Sequence, residues 1–154
     1  MQYWLMKSEP DEFSFTELKQ RGTEPWTGVR NYQARNFLRQ CAVGDQVLFY
    51  HSNCDAPGIV GVAKIVETAT PDPTQFLPKS DYYDPKSTPE NPRWSAVKVG
   101  YDFGFQQNVT LPLLRETKGL EDLLILRPGN RLSVIPVSPA HFKLIVKLGS
   151  TSRK

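Results

Sequence analysis

The sequence has little of the residue types that build common metal and disulfide sites. Only two of its 154 residues are cysteines and only two are histidines. Cys41 and Cys54 cannot supply a disulfide framework, which is typical of a chain from a reducing compartment. His51 and Cys54 have an unusual ligand spacing, and no CxxC pair accompanies them. We therefore predict no metal site and no cofactor.

Long apolar runs and phosphate-binding loops are also absent. No stretch approaches the roughly 18 uninterrupted apolar residues that a membrane span requires, and the N-terminus lacks the pattern of a secretory signal. Neither GxxxxGK[ST] nor GxGxxG occurs. We expect no membrane partner, and a cytoplasmic location in a bacterium or a nuclear one in a eukaryote.

The segment His51–Cys54 is the one place where a catalytic constellation could be sought. It brings an imidazole, a hydroxyl and a thiol within four residues. Side chains three apart on a strand point to opposite faces, however, and no glycine-rich nucleophile elbow is present. The prediction is a non-enzymatic protein, with an enzyme that uses His51 or Cys54 as an alternative.

Charge is distributed unevenly along the chain. Residues 1–122 hold thirteen basic and sixteen acidic side chains, whereas residues 123–154 hold six basic side chains and no acidic one. The range Pro25–Gly44 is also free of acids and carries three arginines. Such asymmetry suits a surface that faces phosphates, although solvated helix faces would give the same pattern.

Helix signals are clear at three positions. Ser14 and Glu17 have the spacing of a capping box before a short helix that ends near Gly22. Asn31 can cap a helix that runs to about Cys41, and Ser138 can cap a last helix with proline at its first position. Residues 111–126 are expected to form one or two short helices.

Strands are predicted from β-branched and apolar runs. They cover Gln2–Lys7, Gln46–Ser52, Gly58–Glu67, Trp94–Phe103 and Arg131–Val137. Six prolines between residues 71 and 92 argue against regular structure there, while its aromatic residues favour an ordered segment. The element order predicts an α+β fold in a single domain, 1–154, with a disordered tail at 149–154.

Polar and aromatic residues concentrate where the predicted elements end, which is where binding groups are usually placed. A nucleobase needs a flat apolar wall and donors or acceptors for its edge. Candidates for the wall are Trp26, Tyr32 and Tyr50; for the edge, Ser8, Glu9, Asn31, His51 and Ser52; for phosphates, Arg30, Arg35 and Arg131. An equally open interpretation is that these aromatic residues are core and these polar ones are caps.

Longer motifs point to a family. The chain resembles the EVE domain family of the PUA-like superfamily over nearly its full length. The motifs are YWLMKSEPDEFS (3–14), WTGVRNYQARNFLR (26–39), GDQVLFYHSNCDAPGIVGVAKIV (44–66), PDPTQF (71–76), YYDPKS (82–87), ENPRW (90–94) and RLSVIPV (131–137). The resemblance implies a PUA-like mixed β-barrel surrounded by short helices. It also implies that a modified base is held in a pocket.

The resemblance places the pocket on four motifs. The implied residues are Ser8, Glu9, Trp26, Val29, Arg30, Asn31, Tyr32, Tyr50, His51, Ser52, Arg131, Leu132 and Ser133. Arg35 and Arg39 are predicted to contact phosphates. The expected ligand is nucleic acid with a modified base, DNA rather than RNA and most simply a modified cytosine, and any effector activity would need a separate protein. The alternatives are general RNA binding without base preference, and a small-ligand protein.

Overall fold

The computed structural model describes residues 1–150, which form one mixed sheet and four α-helices. The strands are β1 (Tyr3–Ser8), β2 (Thr23–Trp26), β3 (Gln46–His51), β4 (Gly58–Pro71), β5 (Ser95–Thr110) and β6 (Val134–Val137). The helices are α1 (Phe15–Arg21), α2 (Tyr32–Gln40), α3 (Leu111–Glu116) and α4 (Pro139–Ser150). Two 3-10 helices cover Pro73–Phe76 and Leu124–Leu126. This architecture confirms the predicted α+β class.

The sheet curls around its core. Its strand order is β2-β5-β4-β3-β1-β6, with β1 and β3 parallel and every other neighbouring pair antiparallel. All six strands send side chains into one apolar cluster, among them Trp4, Trp26, Phe49, Ile65, Val97 and Val134. Both edge strands therefore reach the same core, as the barrel prediction requires, although β2 and β6 are not hydrogen-bonded to each other within residues 1–150.

The predicted helix starts are confirmed. The Ser14 hydroxyl accepts a hydrogen bond from the Glu17 N–H, and the Glu17 carboxylate accepts one from the Ser14 N–H, which completes the capping box. Asn31 accepts from the Ala34 N–H at 3.0 Å and caps α2. The Ser138 hydroxyl accepts from the N–H of His141 at 3.2 Å at the start of α4. These signals are local, so they can be recognised in sequence.

The strand predictions were correct in place but too short for β4 and β5. These two strands form a long antiparallel ribbon that continues to Pro71 and Thr110, respectively, through several register shifts. Shifts of this kind are β-bulges, which bend a ribbon around a core. The polar residues beyond Glu67 and Phe103 are tolerated because one face of the ribbon is exposed to water.

Two other expectations for strands were wrong. No strand was predicted between the first two helices, but Thr23–Trp26 forms β2, which pairs with β5 at the edge of the sheet. Pro25 is accepted there because an edge strand need not donate on both sides. At the other edge, β6 begins at Val134 instead of Arg131, because the Asn130 side chain accepts from the Leu132 N–H at 2.9 Å and forms a turn.

The proline-rich segment between β4 and β5 is irregular and ordered, as predicted. The buried Gln75 side chain donates to the carbonyl oxygens of Asp72 and Trp94 and accepts from the N–H groups of Arg93 and Trp94. The Trp94 indole donates to Asp84 at 2.7 Å. These bonds fix the path of the chain on both sides of residue 82.

The C-terminal helix changes one expectation. The predicted disordered tail, 149–154, overlaps the last two residues of α4, and the rest of it lies outside the described residues. Among residues 1–150, none of the helices is both long enough and apolar enough to cross a membrane.

Candidate nucleic-acid interface

A cavity of about 500 Å³ opens where the ends of several strands meet. Its lining comes from the end of β1, the turn before α1, β2 and the loop after it, and the segments that follow β3 and precede β6. The lining residues are Lys7, Ser8, Glu9, Glu12, Phe13, Arg21, Glu24, Pro25, Trp26, Thr27, Gly28, Val29, Ser52, Tyr82, Arg131 and Ser133. Seven of the thirteen predicted pocket residues are in this set: Ser8, Glu9, Trp26, Val29, Ser52, Arg131 and Ser133.

Trp26 differs from the two other tryptophans in its indole N–H. Trp4 donates to Asp45 at 3.0 Å and Trp94 to Asp84 at 2.7 Å. The Trp26 N–H has no hydrogen-bond partner within residues 1–150, although only 7% of this side chain's residue surface is exposed. Buried indoles usually find an acceptor. The cavity is thus lined by a tryptophan whose donor is available to a ligand.

Several other polar side chains of the cavity have no partner in the described part of the chain. They are Lys7, Thr27, Ser52, Arg131 and Ser133. Burial lowers the pKa of the Lys7 ammonium group, since a partly buried cation without a counter-charge is poorly solvated. All of these side chains can donate hydrogen bonds. A molecule bound against them could accept those bonds through oxygen or nitrogen atoms.

The carboxylates of the cavity are already engaged. Glu9 accepts from the Asn53 amide at 3.0 Å, and Glu12 accepts from the Tyr82 hydroxyl at 3.3 Å. Glu24 forms an ion pair with Arg21 at 2.6 Å. Each carboxylate still has acceptor capacity, because a carboxylate oxygen can accept more than one bond. Acceptors for a ligand amino group are therefore present beside the free donors.

Tyr82 forms a cavity wall that the pocket prediction did not include. Its ring lies so close to Gly28 that a Cβ atom at that position would be 2.8 Å from the ring. Burial raises the pKa of the Tyr82 hydroxyl, and the nearby Glu12 carboxylate raises it further. The hydroxyl consequently remains a donor and links the proline-rich segment to the turn before α1.

Arg30 fixes this wall from behind. Its guanidinium donates twice to the Tyr82 carbonyl oxygen, at 3.0 and 2.7 Å, and also to Thr74 Oγ1 and the Val29 carbonyl oxygen. Its remaining N–H pairs with Asp72 at 3.0 Å. All five N–H donors are therefore used inside the protein, and Arg30 is not among the cavity residues. A phosphate contact by Arg30 would have to replace one of these bonds.

Asp72 is the buried partner of this arginine. Its side chain is 0% exposed and accepts from the Gly28 N–H at 2.8 Å as well as from the N–H and hydroxyl of Thr74. Burial alone would raise the pKa of Asp72, but the bonds from Thr74, Gly28 and Arg30 outweigh it and lower the pKa. The ionised pair joins the loop after β2 to the proline-rich segment.

The remaining predicted pocket residues lie outside the cavity lining. Asn31 caps α2, Tyr50 is buried in the second apolar cluster, and Leu132 packs against both clusters. Tyr32 stacks on Trp94 with ring centroids 4.8 Å apart. His51 accepts the Phe15 N–H through Nε2 at 3.1 Å at the start of α1. For these residues the structure shows the capping and packing roles that the sequence left open.

The two predicted phosphate residues lie on α2. The Arg35 guanidinium lies 4.8 Å from the centre of the exposed Tyr32 ring and donates to the Arg93 carbonyl oxygen. Arg39 donates to Ser95 Oγ and lines a second hollow of about 460 Å³. The Arg30 guanidinium contacts Trp94, which is the other ring of the Tyr32–Trp94 stack. Arg30, Arg35 and Arg39 therefore form a row that begins behind Tyr82 and continues along α2.

The segment from His51 to Cys54 does not form a thiol–imidazole pair. The Cys54 thiol donates to the His51 carbonyl oxygen, and the His51 ring faces the Phe15 N–H. Burial lowers the pKa of His51, because it disfavours the charged form of the ring. Within residues 1–150, no three His, Cys, Asp or Glu side chains are grouped as a metal site would need.

Sequence reasoning missed several cavity residues, chiefly Lys7, Glu12, Phe13, Thr27 and Tyr82. Lys7 and Thr27 adjoin residues that were identified, so a wider window around each element end would have included them. Tyr82 had one signal: an aromatic residue in an ordered, proline-rich segment. Its contact with Gly28 joins positions 54 residues apart and cannot be deduced from local pattern.

Comparison with known proteins identifies relatives along almost the whole chain. The EVE domain family model matches residues 2–148. Thymocyte nuclear protein 1 of Mus musculus is 42% identical over 167 residues, which cover 97% of this chain and 74% of that protein.

Solved structures share the fold closely. A Pseudomonas syringae protein has 51% identity and a TM-score of 0.92, covering 95% of this chain and 98% of that one. Human THYN1 protein, solved in complex with 5-methylcytosine-containing DNA, has 38% identity and a TM-score of 0.91, covering 99% and 100% of the two chains. This chain therefore belongs to the EVE domain family.

Proposed function

We propose that this protein binds nucleic acid and holds one modified base, turned out of the base stack, in the cavity lined by Trp26 and Tyr82. A base inside a duplex hides its edge and faces, so a pocket of this depth can accept it only after extrusion. The human relative solved with 5-methylcytosine-containing DNA supports DNA as the nucleic acid and a modified cytosine as the base.

The observation that carries the proposal is the indole N–H of Trp26, which has no partner within residues 1–150, whereas those of Trp4 and Trp94 donate to carboxylates. Trp26 lines the same cavity as Phe13 and Tyr82. Aromatic surface with a few donors is what a flat heterocycle with acceptor atoms requires. The volume of about 500 Å³ lies within the range of small-ligand pockets.

The lining offers both kinds of partner that a cytosine edge needs. Cytosine presents acceptors at its carbonyl oxygen and ring nitrogen, and a donor at its amino group. Trp26 Nε1 and the hydroxyls of Ser52 and Thr27 can donate to the acceptors. The carboxylates of Glu9 and Glu12 can accept from the amino group, in addition to their present bonds. A base that lacks the amino group would leave these carboxylates without that contact.

Phosphates next to the extruded base would meet arginines at the rim of the cavity and beyond it. Arg131 is exposed at the rim, and Arg35 and Arg39 follow along α2. The role proposed for Arg30 is to position Tyr82, since all five of its donors are used within the protein. The remaining arginines would contribute to affinity without discriminating between bases.

The test is a binding screen with Trp26→Phe and a matched control. Oligonucleotides with one 5-methylcytosine, and unmodified counterparts, are compared as DNA and RNA at fixed salt. Trp26→Phe keeps an aromatic ring, removes an N–H that has no internal partner within residues 1–150, and reduces the ring surface, so affinity for the modified DNA should fall about 3- to 10-fold. The smaller ring leaves space in the core around this buried residue and lowers stability, so affinity is compared on protein shown to be folded.

Trp4→Phe is the control because it removes an indole N–H bonded to the buried Asp45. It should lower the free energy of unfolding and leave oligonucleotide affinity unchanged. Equal affinity of the native protein for modified and plain DNA would contradict the proposal. Preferential capture of unmodified RNA would favour general RNA binding, and turnover that is lost in His51→Ala would favour an enzyme.

A further inference from the structure

Lys7, Arg131 and Ser133 form a group at one end of the cavity. The Lys7 N–H donates to the Ser133 carbonyl oxygen at 2.9 Å, so these residues are neighbours across the continuation of β1 and β6. Arg131 lies two residues earlier on the same segment, and all three line the cavity. They bring two cations and one hydroxyl together from two chain segments that are 124 residues apart.

None of these three side chains has a hydrogen bond or ion pair within the described residues. The acidic residues of the same cavity are already bonded elsewhere, to Asn53, Tyr82 and Arg21. Among residues 1–150, no carboxylate lies within 4 Å of the Lys7 ammonium group. Lys7, Arg131 and Ser133 thus have unused donors, whereas the carboxylates of the cavity already accept bonds from other residues.

The position of Lys7 shows which ligand charge would satisfy the group. Lys7 is partly buried, and burial disfavours its charged form. A neutral base edge would leave that charge uncompensated, whereas an anionic oxygen would both accept hydrogen bonds and balance it. Lysine and arginine together are the usual partners of phosphate oxygens. The phosphate attached to the bound nucleotide is the anion that necessarily enters with its base.

We propose that Lys7, Arg131 and Ser133 form a phosphate subsite within the cavity, which holds one backbone phosphate of the nucleotide whose base is bound there. This inference rests on the proposed function for the identity of the ligand. It adds that the cavity recognises a nucleotide as a unit of base and phosphate. Lys7 then contributes to affinity, and the base-contacting residues contribute to the choice of base.

The experiment neutralises the phosphate and the lysine separately and together. DNA oligonucleotides with a single methylphosphonate linkage, placed first on the 5′ side and then on the 3′ side of one 5-methylcytosine, are compared with the normal phosphodiester. The proteins are native, Lys7→Met and Lys64→Met. Lys64 is an exposed lysine on β4 outside the cavity lining, so its substitution removes the same charge without touching the subsite.

The native protein should lose about tenfold in affinity when one of the two linkages is neutral, as for one charge-assisted hydrogen bond. Lys7→Met should lose a similar factor on the normal oligonucleotide and then be insensitive to that neutral linkage. Lys64→Met should retain the native sensitivity. Arg131→Ala should also reduce the sensitivity of affinity to that neutral linkage. Because Arg131 is exposed, this variant provides the test if the Lys7 variant does not fold.

Additive losses in Lys7→Met and the neutral linkage would overturn the subsite, as would native affinity that ignores both neutral linkages. The proposed function fails by a different result, namely equal affinity for modified and plain DNA. A protein that prefers 5-methylcytosine but shows no coupling to Lys7 would retain the function and refute the subsite. Coupling between Lys7 and the neutral linkage without a preference for 5-methylcytosine would support the subsite and contradict the proposed function.

Discussion

Removal of the Asp72 carboxylate should destabilise the protein far more than removal of an exposed acid. Asp72 accepts four hydrogen bonds, from the Gly28 N–H, the Arg30 guanidinium, and the N–H and hydroxyl of Thr74. Its side chain is 0% exposed and that of Arg30 is 21% exposed. Asp72→Ala would leave a largely buried guanidinium and a buried backbone N–H without their acceptor.

The expected loss for Asp72→Ala is about 3–5 kcal/mol in the free energy of unfolding, as for a buried pair with one partner removed. Arg30→Met should cost less, about 1–3 kcal/mol, because Asp72 keeps three of its four bonds. Glu67→Ala is the control. It breaks the Lys98–Glu67 pair at 3.7 Å, whose side chains are 36% and 64% exposed, and should cost about 0–1 kcal/mol.

The measurement is urea unfolding followed by tryptophan fluorescence and circular dichroism. Because the pKa of Asp72 is lowered in the folded state, its contribution is complete above the unfolded pKa of about 3.9. It is lost as pH falls through the lower, folded pKa. The difference in free energy of unfolding between the native protein and Asp72→Asn should therefore decrease only below about pH 4. Equal costs for Asp72→Ala and Glu67→Ala would refute the assigned role of the buried pair.

Two further substitutions address the cavity wall and the start of α1. Gly28→Ala places a Cβ 2.8 Å from the Tyr82 ring at a φ of 85°, so it should lower both the free energy of unfolding and the affinity for modified DNA. Gly44→Ala is its control, because φ there is 95° and no atom lies within 4 Å of the added Cβ. It should lower the free energy of unfolding by about 1–2 kcal/mol through the backbone conformation alone. Because the pKa of His51 is lowered, the unfolded chain binds its proton more readily, and stability should fall as pH drops below about 6.5. His51→Gln should flatten this slope in urea titrations; a slope that persists in His51→Gln would contradict the assignment.

The parts of the fold that were predictable from sequence are those with local causes. The Ser14–Glu17 box and the Asn31 cap each involve residues three apart, so the side chain and the N–H that it satisfies can be recognised together. Strand β2 has no such signal. Pro25 argues against a strand when only the sequence is considered, and the pairing with β5 that forms β2 joins residues more than 70 positions apart.

The same distinction applies to the site. The ends of β1 and β3 and the segment before α2 were identified because polar and aromatic residues concentrate there, and Ser8, Trp26 and Ser52 do line the cavity. Residue type alone could not separate a cavity side chain from a cap. Asn31 and His51 were equally plausible as base contacts, yet their side chains accept from backbone N–H groups of α2 and α1. That separation depends on which partner each atom meets in three dimensions.

The distribution of satisfied and unsatisfied donors ties the cavity to binding more strongly than its shape does. Outside the cavity lining, comparable donors have partners: Arg30 uses all five of its N–H donors, and the indoles of Trp4 and Trp94 each donate to a carboxylate. Inside it, the Trp26 indole and the Lys7 ammonium group have no partner within residues 1–150. Burying such groups lowers stability unless something accepts their hydrogen bonds. A ligand that fills the cavity and covers these two donors would therefore have to supply acceptor atoms for them.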